Sequence, residues 1–228
     1  MNQLDKIRLT LSTYFTKCIR GYHIIHNEPI KEANWEDINA QVLIASGCNV
    51  ESQSNGSHRP GADIICSLGG FSNKSAQYSP GNRSFKISSY RLTTVCSDKD
   101  PGNIETILTE INKRKNFEFY SIIVRGEKEL DIKYDWYLIP ADHPSLDPSQ
   151  YIWTQKIGKT GKNKGISTGW QTNIIDGSSM SITFSMSSQL WMDIMVTEDM
   201  QKYLISSAIA TKGSTYNYIQ LYDMFSTT

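Results

Sequence analysis

The sequence predicts a mixed α/β (α+β) protein with a β-rich C-terminal extension, and three observations support this class. Apolar residues near the N-terminus recur every three or four positions, as on one face of a helix. From residue 48 onward, short runs rich in β-branched and aromatic residues alternate with turn residues, as strands do. The chain has 228 residues, which is enough for one domain with a sizeable core, so residues 1–228 are expected to form a single domain.

Two helices are predicted at the start of the chain. The first is indicated by an apolar series at Leu4, Ile7, Leu11, Phe15 and Ile19. The second is expected to begin after Asn34, a favourable N-cap, with Glu36 and Asp37 in its first turn, and to end before Gly47. Each helix would present one apolar face to the core.

Strands and a third helix follow. Three strands are predicted at "CNVES", "ADIICSL" and "RSFKISSYRL", the last after a loop rich in Gly, Ser and Asn. A helix is expected over 103–115 because Ile104, Ile107, Leu108 and Ile111 share one face. The segments "FEFYSIIVRG" and "LDIKYDWYLIP" are predicted to be two further strands. The order is therefore helix, three strands, helix, two strands.

The chain beyond Pro140 is expected to be rich in strands. "YIWTQKIG" and "STGWQTNII" look like strands on either side of a basic loop, and "MSITFSMSSQLWMDIMV" is β-rich with room for one turn. The tail, about 198–225, is predicted to hold one or two short helices.

Composition limits the classes of partner and compartment. The chain has 23 basic and 23 acidic residues, so a polyanion would have to be bound by a local patch rather than by a global field. The four cysteines form no C-x-x-C pair and are expected to be reduced, mostly buried thiols. No apolar stretch approaches the length of a membrane span, which predicts a cytoplasmic protein without a membrane partner.

One group of residues could carry chemistry. Asp63 follows the polar loop "GSHRPGA" and opens an apolar run, while Ser84 and Lys86 lie two apart on one face of a later strand. If these two strands are antiparallel neighbours, Asp63, the Phe85 carbonyl and Lys86 would converge. Mg²⁺ prefers such oxygen ligands, and a lysine nearby can orient a water for attack. The group would suit hydrolysis of a phosphodiester.

Asp63 and the later x-x-Lys86, together with the order of elements, resemble the PD-(D/E)XK nuclease superfamily and within it the type II restriction endonucleases. The resemblance covers about residues 34–139, the catalytic core. It implies a restriction-endonuclease-like core of order αβββαβ, with a mixed central sheet flanked by helices. It also implies that Asp63 and the Phe85 carbonyl bind Mg²⁺ and that Lys86 positions the attacking water.

Two positions depart from the motif of this superfamily. Ala62 precedes the aspartate where the superfamily has proline, and Ser84 stands where it has a second acid, giving Ser-x-Lys. The resemblance therefore predicts that Ser84 bonds a water at the metal and that a glutamate elsewhere supplies the missing ligand. Glu36 on the second helix is the first choice, and Glu105 or Glu110 on the third helix is the alternative.

Double-stranded DNA is the expected partner. The segment 150–196 is taken as the DNA-recognition extension, because its basic loop and strand place four lysines among glycines and amides, at Lys156, Lys159, Lys162 and Lys164. The loop residues Ser57, His58 and Arg59 are also predicted to contact DNA. By analogy with restriction enzymes, the chain would act as a homodimer in the bacterial cytoplasm.

Simpler interpretations stand beside these predictions. Asp63 could only cap its loop, Lys86 could only protect an edge strand, and Glu36 could only favour the positive end of its helix. The lysine-rich loop could be a solvated hairpin tip. The functional alternatives are a structure-selective nuclease on the same fold, a non-catalytic DNA-binding module, and a small-molecule or protein-binding domain.

Overall fold

Two β-sheets and five helices make up the described parts of the chain, which confirms the mixed α/β class. A computed structural model describes residues 3–53, 61–81, 83–211 and 216–226. The helices are α1 (Gln3–Ile25), α2 (Glu32–Ala45), α3 (Ile104–Arg114), α4 (Glu198–Gln201) and α5 (Tyr218–Ser226). Single 3₁₀ turns lie at Pro148–Gln150 and Gly161–Asn163.

The first and third predicted helices are confirmed, and the second begins earlier than expected. Asn103 caps α3 by accepting a hydrogen bond from the Glu105 N–H. The predicted cap at Asn34 is wrong, because Lys31 holds the N-cap position of α2 without a side-chain cap bond. The predicted end before Gly47 is confirmed, and Gly47 has the positive φ typical of a helix terminus. The earlier start places Glu32 in the first turn of α2.

The first sheet has six strands in the order β1-β2-β3-β5-β6-β11. Its strands are β1 (Val50–Gln53), β2 (Ile64–Cys66), β3 (Gly69–Gln77), β5 (Phe119–Lys128), β6 (Asp131–Pro140) and β11 (Leu204–Thr211). Strands β3 and β5 are parallel, and every other neighbouring pair is antiparallel. The sheet is therefore mixed.

The prediction of a loop before the third strand is wrong. The segment "GGFSNKSAQ" forms β3, which continues from β2 through a short turn and pairs Ile64 with Phe71. It was missed because glycines and small polar residues are typical of loops. Its central polar residues Ser72, Asn73 and Lys74 are nevertheless buried, and β3 lies inside the sheet between β2 and β5.

The second sheet has five antiparallel strands in the order β4-β10-β9-β8-β7. Its strands are β4 (Ser84–Arg91), β7 (Trp153–Ile157), β8 (Ser167–Thr172), β9 (Ser179–Thr183) and β10 (Gln189–Met195). All five were predicted as strands. The expectation that β4 neighbours the strand after Asp63 is wrong, because β4 pairs with β10 and β3 occupies the place beside β2.

The predicted helical tail is only partly correct. Helices α4 and α5 lie within it, but between them "LISSAIAT" forms β11, which pairs with β6 at the edge of the first sheet. The alternation of buried and exposed residues along β11 is that of a strand with one covered face. None of the helices that the structure describes is long and apolar enough to cross a membrane.

Two hydrophobic cores lie against the first sheet. One core joins α1 and α2 to the sheet through Phe15, Trp35 and Trp136, whose rings lie within 6 Å of one another between centroids. The other contains α3 and both sheets, and includes Ile122 of the first sheet and Ile182 of the second. Because this second core is shared, the two sheets should unfold together.

Urea unfolding tests whether the sheets form one cooperative unit. Ile123→Ala in the first core and Ile182→Ala in the second should each lower the free energy of unfolding by about 2–5 kcal/mol, since each leaves a buried cavity. Ile174→Ala, at a side chain 71% exposed, should change it by less than about 0.5 kcal/mol. Fluorescence and circular dichroism should report one coincident transition. Two separate transitions would contradict a shared core.

Candidate functional site

Asp63 lies at the start of the β2–β3 hairpin, and its carboxylate is held by β3. The backbone N–H of Asp63 donates to the Phe71 carbonyl at 2.7 Å, so the residue already pairs with β3. Its Oδ2 accepts hydrogen bonds from the Asn73 N–H at 2.6 Å and from the Ser72 hydroxyl at 3.4 Å. This exceeds the loop-capping role considered above, because the bonds come from a central strand.

Lys74 brings an ammonium and a second carboxylate to the same place. Its Nζ donates to Glu32 Oε1 at 2.8 Å and to the Asn73 carbonyl at 2.7 Å, and the residue is only 9% exposed. Glu32 comes from the first turn of α2. Ser72 is the residue of β3 opposite Asp63, and Lys74 lies two residues beyond it. The segment Ser72-Asn73-Lys74 is therefore another Ser-x-Lys.

The electrostatics of this cluster favour an added cation. Burial raises the pKa of Asp63, and Glu32 raises it further, while Lys74 and the Asn73 N–H lower it. The net direction is upward, so the single ammonium does not compensate fully for a half-buried carboxylate. Two carboxylates share one ammonium, and a divalent cation would supply the missing positive charge.

A buried polar network fixes α2 against β3 beneath the site. The Asn39 amide donates to Asn73 Oδ1 at 2.6 Å and to the Ser121 hydroxyl at 2.8 Å, and the Trp136 indole N–H donates to the same hydroxyl at 3.0 Å. All four residues are buried. Because Asn39 is on the same helix as Glu32, the network holds the glutamate in register with Lys74.

The predicted residues Ser84, Phe85 and Lys86 do not join Asp63. They lie on β4 in the second sheet, where Lys86 pairs across the strand with Asp193, at 3.2 Å between Nζ and Oδ2. The expected convergence on adjacent strands is wrong, because β4 belongs to the second sheet and β2 pairs with β3 instead. The Phe85 side chain is fully buried in the core between the sheets.

The predicted glutamates have different surroundings. Glu36 lies one turn after Glu32 on α2, so both project from the same side of the helix. Glu105 is exposed in the first turn of α3, and Glu110 pairs with Arg114 at 2.6 Å. The acid that affects the pKa of Asp63 is Glu32.

The predicted DNA contacts fall in two places. Ser57, His58 and Arg59 lie outside the described residues. The lysines Lys156, Lys159, Lys162 and Lys164 are exposed on β7 and on the hairpin that joins it to β8. They therefore form a local basic surface, as the sequence predicted.

Sequence reasoning missed Glu32, Ser72 and Lys74. A signal for two of them was present: Ser72-Asn73-Lys74 is a second Ser-x-Lys, closer to Asp63 than Ser84-Phe85-Lys86. It was passed over because the segment resembled a loop. Glu32 carries no signal of its own, since its role depends on where α2 begins.

Neither a search for metal sites nor comparison with other proteins assigns the site. Among the described residues, no three His, Cys, Asp or Glu side chains are grouped so that they could hold a metal ion. Comparison of the chain with protein-family models, curated proteins and solved structures gives no match. The site is therefore defined by its own geometry.

The raised pKa of Asp63 predicts an effect on stability. Below the ordinary aspartate pKa, protonation at this position favours the folded chain, and this contribution is lost as pH rises through the raised pKa. At pH 7 the ionised carboxylate is therefore destabilising. Asp63→Asn, which keeps an oxygen for the Asn73 N–H, should raise the melting temperature in chelator by roughly 2–4 °C per kcal/mol gained. The gain should shrink as pH falls, as measured by calorimetry.

Magnesium supplies the second half of this test. Mg²⁺ should raise the melting temperature of the native chain, because it binds the folded form, and should raise that of Asp63→Asn less. Asp142→Asn, at an exposed acid, should respond to Mg²⁺ as the native chain does. An Asp63→Asn variant that is less stable at pH 7 and equally responsive to Mg²⁺ would contradict the assignment.

Proposed function

We propose that the chain is a Mg²⁺-dependent endonuclease of the PD-(D/E)XK type that cuts double-stranded DNA at specific sequences, as type II restriction enzymes do. Its active site would be Asp63, Lys74 and Glu32. The observation that carries the proposal is their convergence: the Asp63 carboxylate is bonded by β3, Lys74 of β3 bonds Glu32 of α2, and both Lys74 and Glu32 affect the pKa of Asp63. Such an enzyme would act in the bacterial cytoplasm.

The order of elements supports this proposal. Helix α2, strands β1, β2 and β3, helix α3 and strand β5 follow the order αβββαβ, with β4 inserted between β3 and α3. The three strands β1 to β3 form an antiparallel meander, and β5 lies parallel to β3 after the crossover through α3. Asp63 directly precedes the second strand of this unit, and Lys74 lies on the third.

The available ligands suit Mg²⁺. The cluster offers oxygens only, from the carboxylates of Asp63 and Glu32, the Asn73 carbonyl and the Ser72 hydroxyl. Mg²⁺ is commonly bound by one or two carboxylates, with waters and substrate phosphate oxygens completing the octahedron. Two acids are therefore sufficient, although the described residues hold no group of three. Glu36, one turn along α2, is the nearest further acid on that helix.

Each side chain has a definite part in the proposed hydrolysis. Lys74 has three N–H donors, of which Glu32 and the Asn73 carbonyl accept two, and the third would orient a water toward phosphorus. Attack by this water forms one P–O bond and breaks the bond to a bridging ester oxygen, which leaves with a proton. Bound Mg²⁺ would polarise the phosphate and lower the pKa of a water. Asp63 and Glu32 would hold it.

Two lysine variants separate this site from the one expected from sequence. Lys74→Ala should lower kcat for plasmid cleavage by about 10²–10⁴, the usual effect of removing a group that positions a proton-transferring water. The loss should exceed that of Lys86→Ala by at least about tenfold, because Lys86 lies in the other sheet. Discrete fragments from plasmid or phage DNA in Mg²⁺ are the measurement.

The outcome distinguishes the remaining functions. If Lys86→Ala abolished cutting and Lys74→Ala did not, the active site would be the one predicted from the sequence, with Lys86 as its lysine. Cutting of branched but not linear duplex would indicate a structure-selective nuclease. Salt-sensitive binding of duplex with no cutting in any divalent metal would indicate a DNA-binding module without catalysis, and would refute the proposed activity.

Helix α5 supports a homodimer as the functional unit. None of its residues is buried, although it carries large apolar side chains: Tyr218, Ile219, Tyr222 and Phe225 are each 70–76% exposed. Tyr216, just before it, is attached to the end of α1 by a 2.6 Å bond from its N–H to the Ile24 carbonyl. Aromatic side chains bury about 150–250 Å² each. The exposed set therefore supplies roughly half of the ~800 Å² per partner of a standard interface.

A second copy is the partner that this surface fits. A two-fold axis would place α5 against the same surface of the other chain, and two-fold protein symmetry matches a palindromic DNA site. The helix contains a single charged residue, Asp223, so such self-association would meet little charge repulsion.

Light scattering after gel filtration tests the dimer. The 25.8 kDa chain should elute at twice that mass, and replacing Tyr218, Ile219 and Tyr222 by serine should give a monomer of nearly unchanged melting temperature, since these side chains are 70–73% exposed. Ile174→Ser, at an exposed apolar residue away from α5, should remain dimeric. A native chain that is monomeric at tens of micromolar, or a triple variant that stays dimeric, would exclude this interface.

A further inference from the structure

The outer face of the second sheet presents an aromatic ring among small polar residues. The inner face packs into the core through residues such as Ile182 and Met192. On the outer face, Trp191 of β10 is half-buried and lies between Ser88 on β4 and Ser181 on β9 in the strand register. Because both neighbours are small, the indole has no bulky side chain beside it across either strand.

Two cationic side chains, Lys86 and Arg91, lie on the same face of the sheet as this ring. Lys86 Nζ lies 5.5 Å from the centre of the Trp191 ring and pairs with Asp193, so its charge is balanced. Arg91 pairs in register with Gln189, two residues from Trp191, beyond a bulge at Tyr90. Arg91 thus adds a second cationic residue, on the edge strand β4.

Further positive charge lies across the sheet. Lys156 is exposed on β7, in register with Gly169 of β8, and the hairpin beyond it carries Lys159, Lys162 and Lys164. None of these four lysines forms a salt bridge with the described residues. From β4, which carries Arg91, to β7 the sheet spans four strand intervals, or about 19 Å.

We propose that this surface, the Trp191 face, binds a strand of DNA with unpaired bases, with one base stacked on Trp191. Phosphates would be neutralised by Arg91 at one edge and by Lys156 and the hairpin at the other. Arg91 on β4 and Lys156 on β7 are about 19 Å apart across the sheet, which corresponds to roughly five or six stacked nucleotides at ~3.4 Å each. Ser181 and Gln171, which are paired in register, would offer hydrogen bonds to base edges.

The chemistry favours a single strand over other ligands. Stacking on an aromatic side chain needs an open base face, which unpaired bases provide and duplex bases do not. A neutral oligosaccharide can also stack on tryptophan, but it would gain nothing from the unpaired cations around this face. A single strand of nucleic acid would use both features, because its bases can stack on the tryptophan and its phosphates can pair with the cations.

The inference takes DNA rather than RNA from the proposed function and is otherwise separate from the active site. Asp63 and Lys74 belong to the first sheet, whereas the Trp191 face is on the second. The surface would hold a single-stranded segment next to a duplex, such as an opened or overhanging end. It thus adds a second class of nucleic-acid contact to the proposed endonuclease.

Fluorescence anisotropy of a labelled twelve-residue oligothymidylate tests the proposal in chelator, where no hydrolysis is expected. Trp191→Ala should weaken binding about 5- to 150-fold, the equivalent of the ~1–3 kcal/mol that stacking of one base contributes. Trp191→Phe should retain most of the affinity, because it keeps a ring. Ile174→Ala, at an exposed apolar residue of the same sheet region, should bind as the native chain does. Circular dichroism should show all variants folded.

Each outcome decides the inference independently of catalysis. Binding of oligothymidylate that does not depend on Trp191 overturns it, even if duplex DNA is cut in Mg²⁺. Binding that requires Trp191 supports it, even if no DNA is cut, in which case only the proposed nuclease activity fails. Binding of maltohexaose, or of a fully paired duplex alone, that requires Trp191 would replace the single strand with that ligand and also overturn it.

Discussion

The parallel pairing of β3 with β5 is the constraint from which the arrangement of the chain follows. Parallel neighbours need a crossover between them, and the segment between Gln77 and Phe119 supplies it. That segment carries β4 and α3, which pack into the core shared by both sheets, while α1 and α2 pack into the other. Strand β3 is consequently enclosed, and its polar side chains need partners from other elements.

The candidate site forms where α2 supplies hydrogen-bond partners to two of these side chains. A buried amide or charge without a hydrogen bond is costly, and the partners of Asn73 and Lys74 come from α2 at Asn39 and Glu32. The same enclosure removes water from Asp63, and burial raises its pKa despite the nearby ammonium. A pKa raised in this way is common at functional sites, because structure alone would favour a neutral residue there.

The sequence was informative where local pattern and tertiary environment agree. Helix α3 and strand β5 have apolar residues at the spacing of their own secondary structure, and both were predicted. Strand β3 was missed, because its neighbours rather than its composition make "GGFSNKSAQ" a strand. That error displaced the predicted site: β4 has a regular strand pattern, and its partner β10 lies about a hundred residues later, where no local signal reveals it. The sequence therefore pairs Asp63 with Lys86 of β4, whereas the lysine that the structure brings near Asp63 is Lys74 of β3.

The two sheets differ in whether they can attract a phosphate in the absence of a divalent cation. The cluster around Asp63 has two carboxylates and one ammonium, so a DNA phosphate would be repelled there until a divalent cation reverses the local charge. The second sheet and its hairpin instead carry exposed lysines that can attract a phosphate without a metal ion, although the whole chain is neutral. Attraction there is confined to a distance of about one Debye length, ~10 Å at 0.1 M salt. Binding would therefore be local and salt-sensitive, and would precede the metal-dependent approach of the phosphate to Lys74.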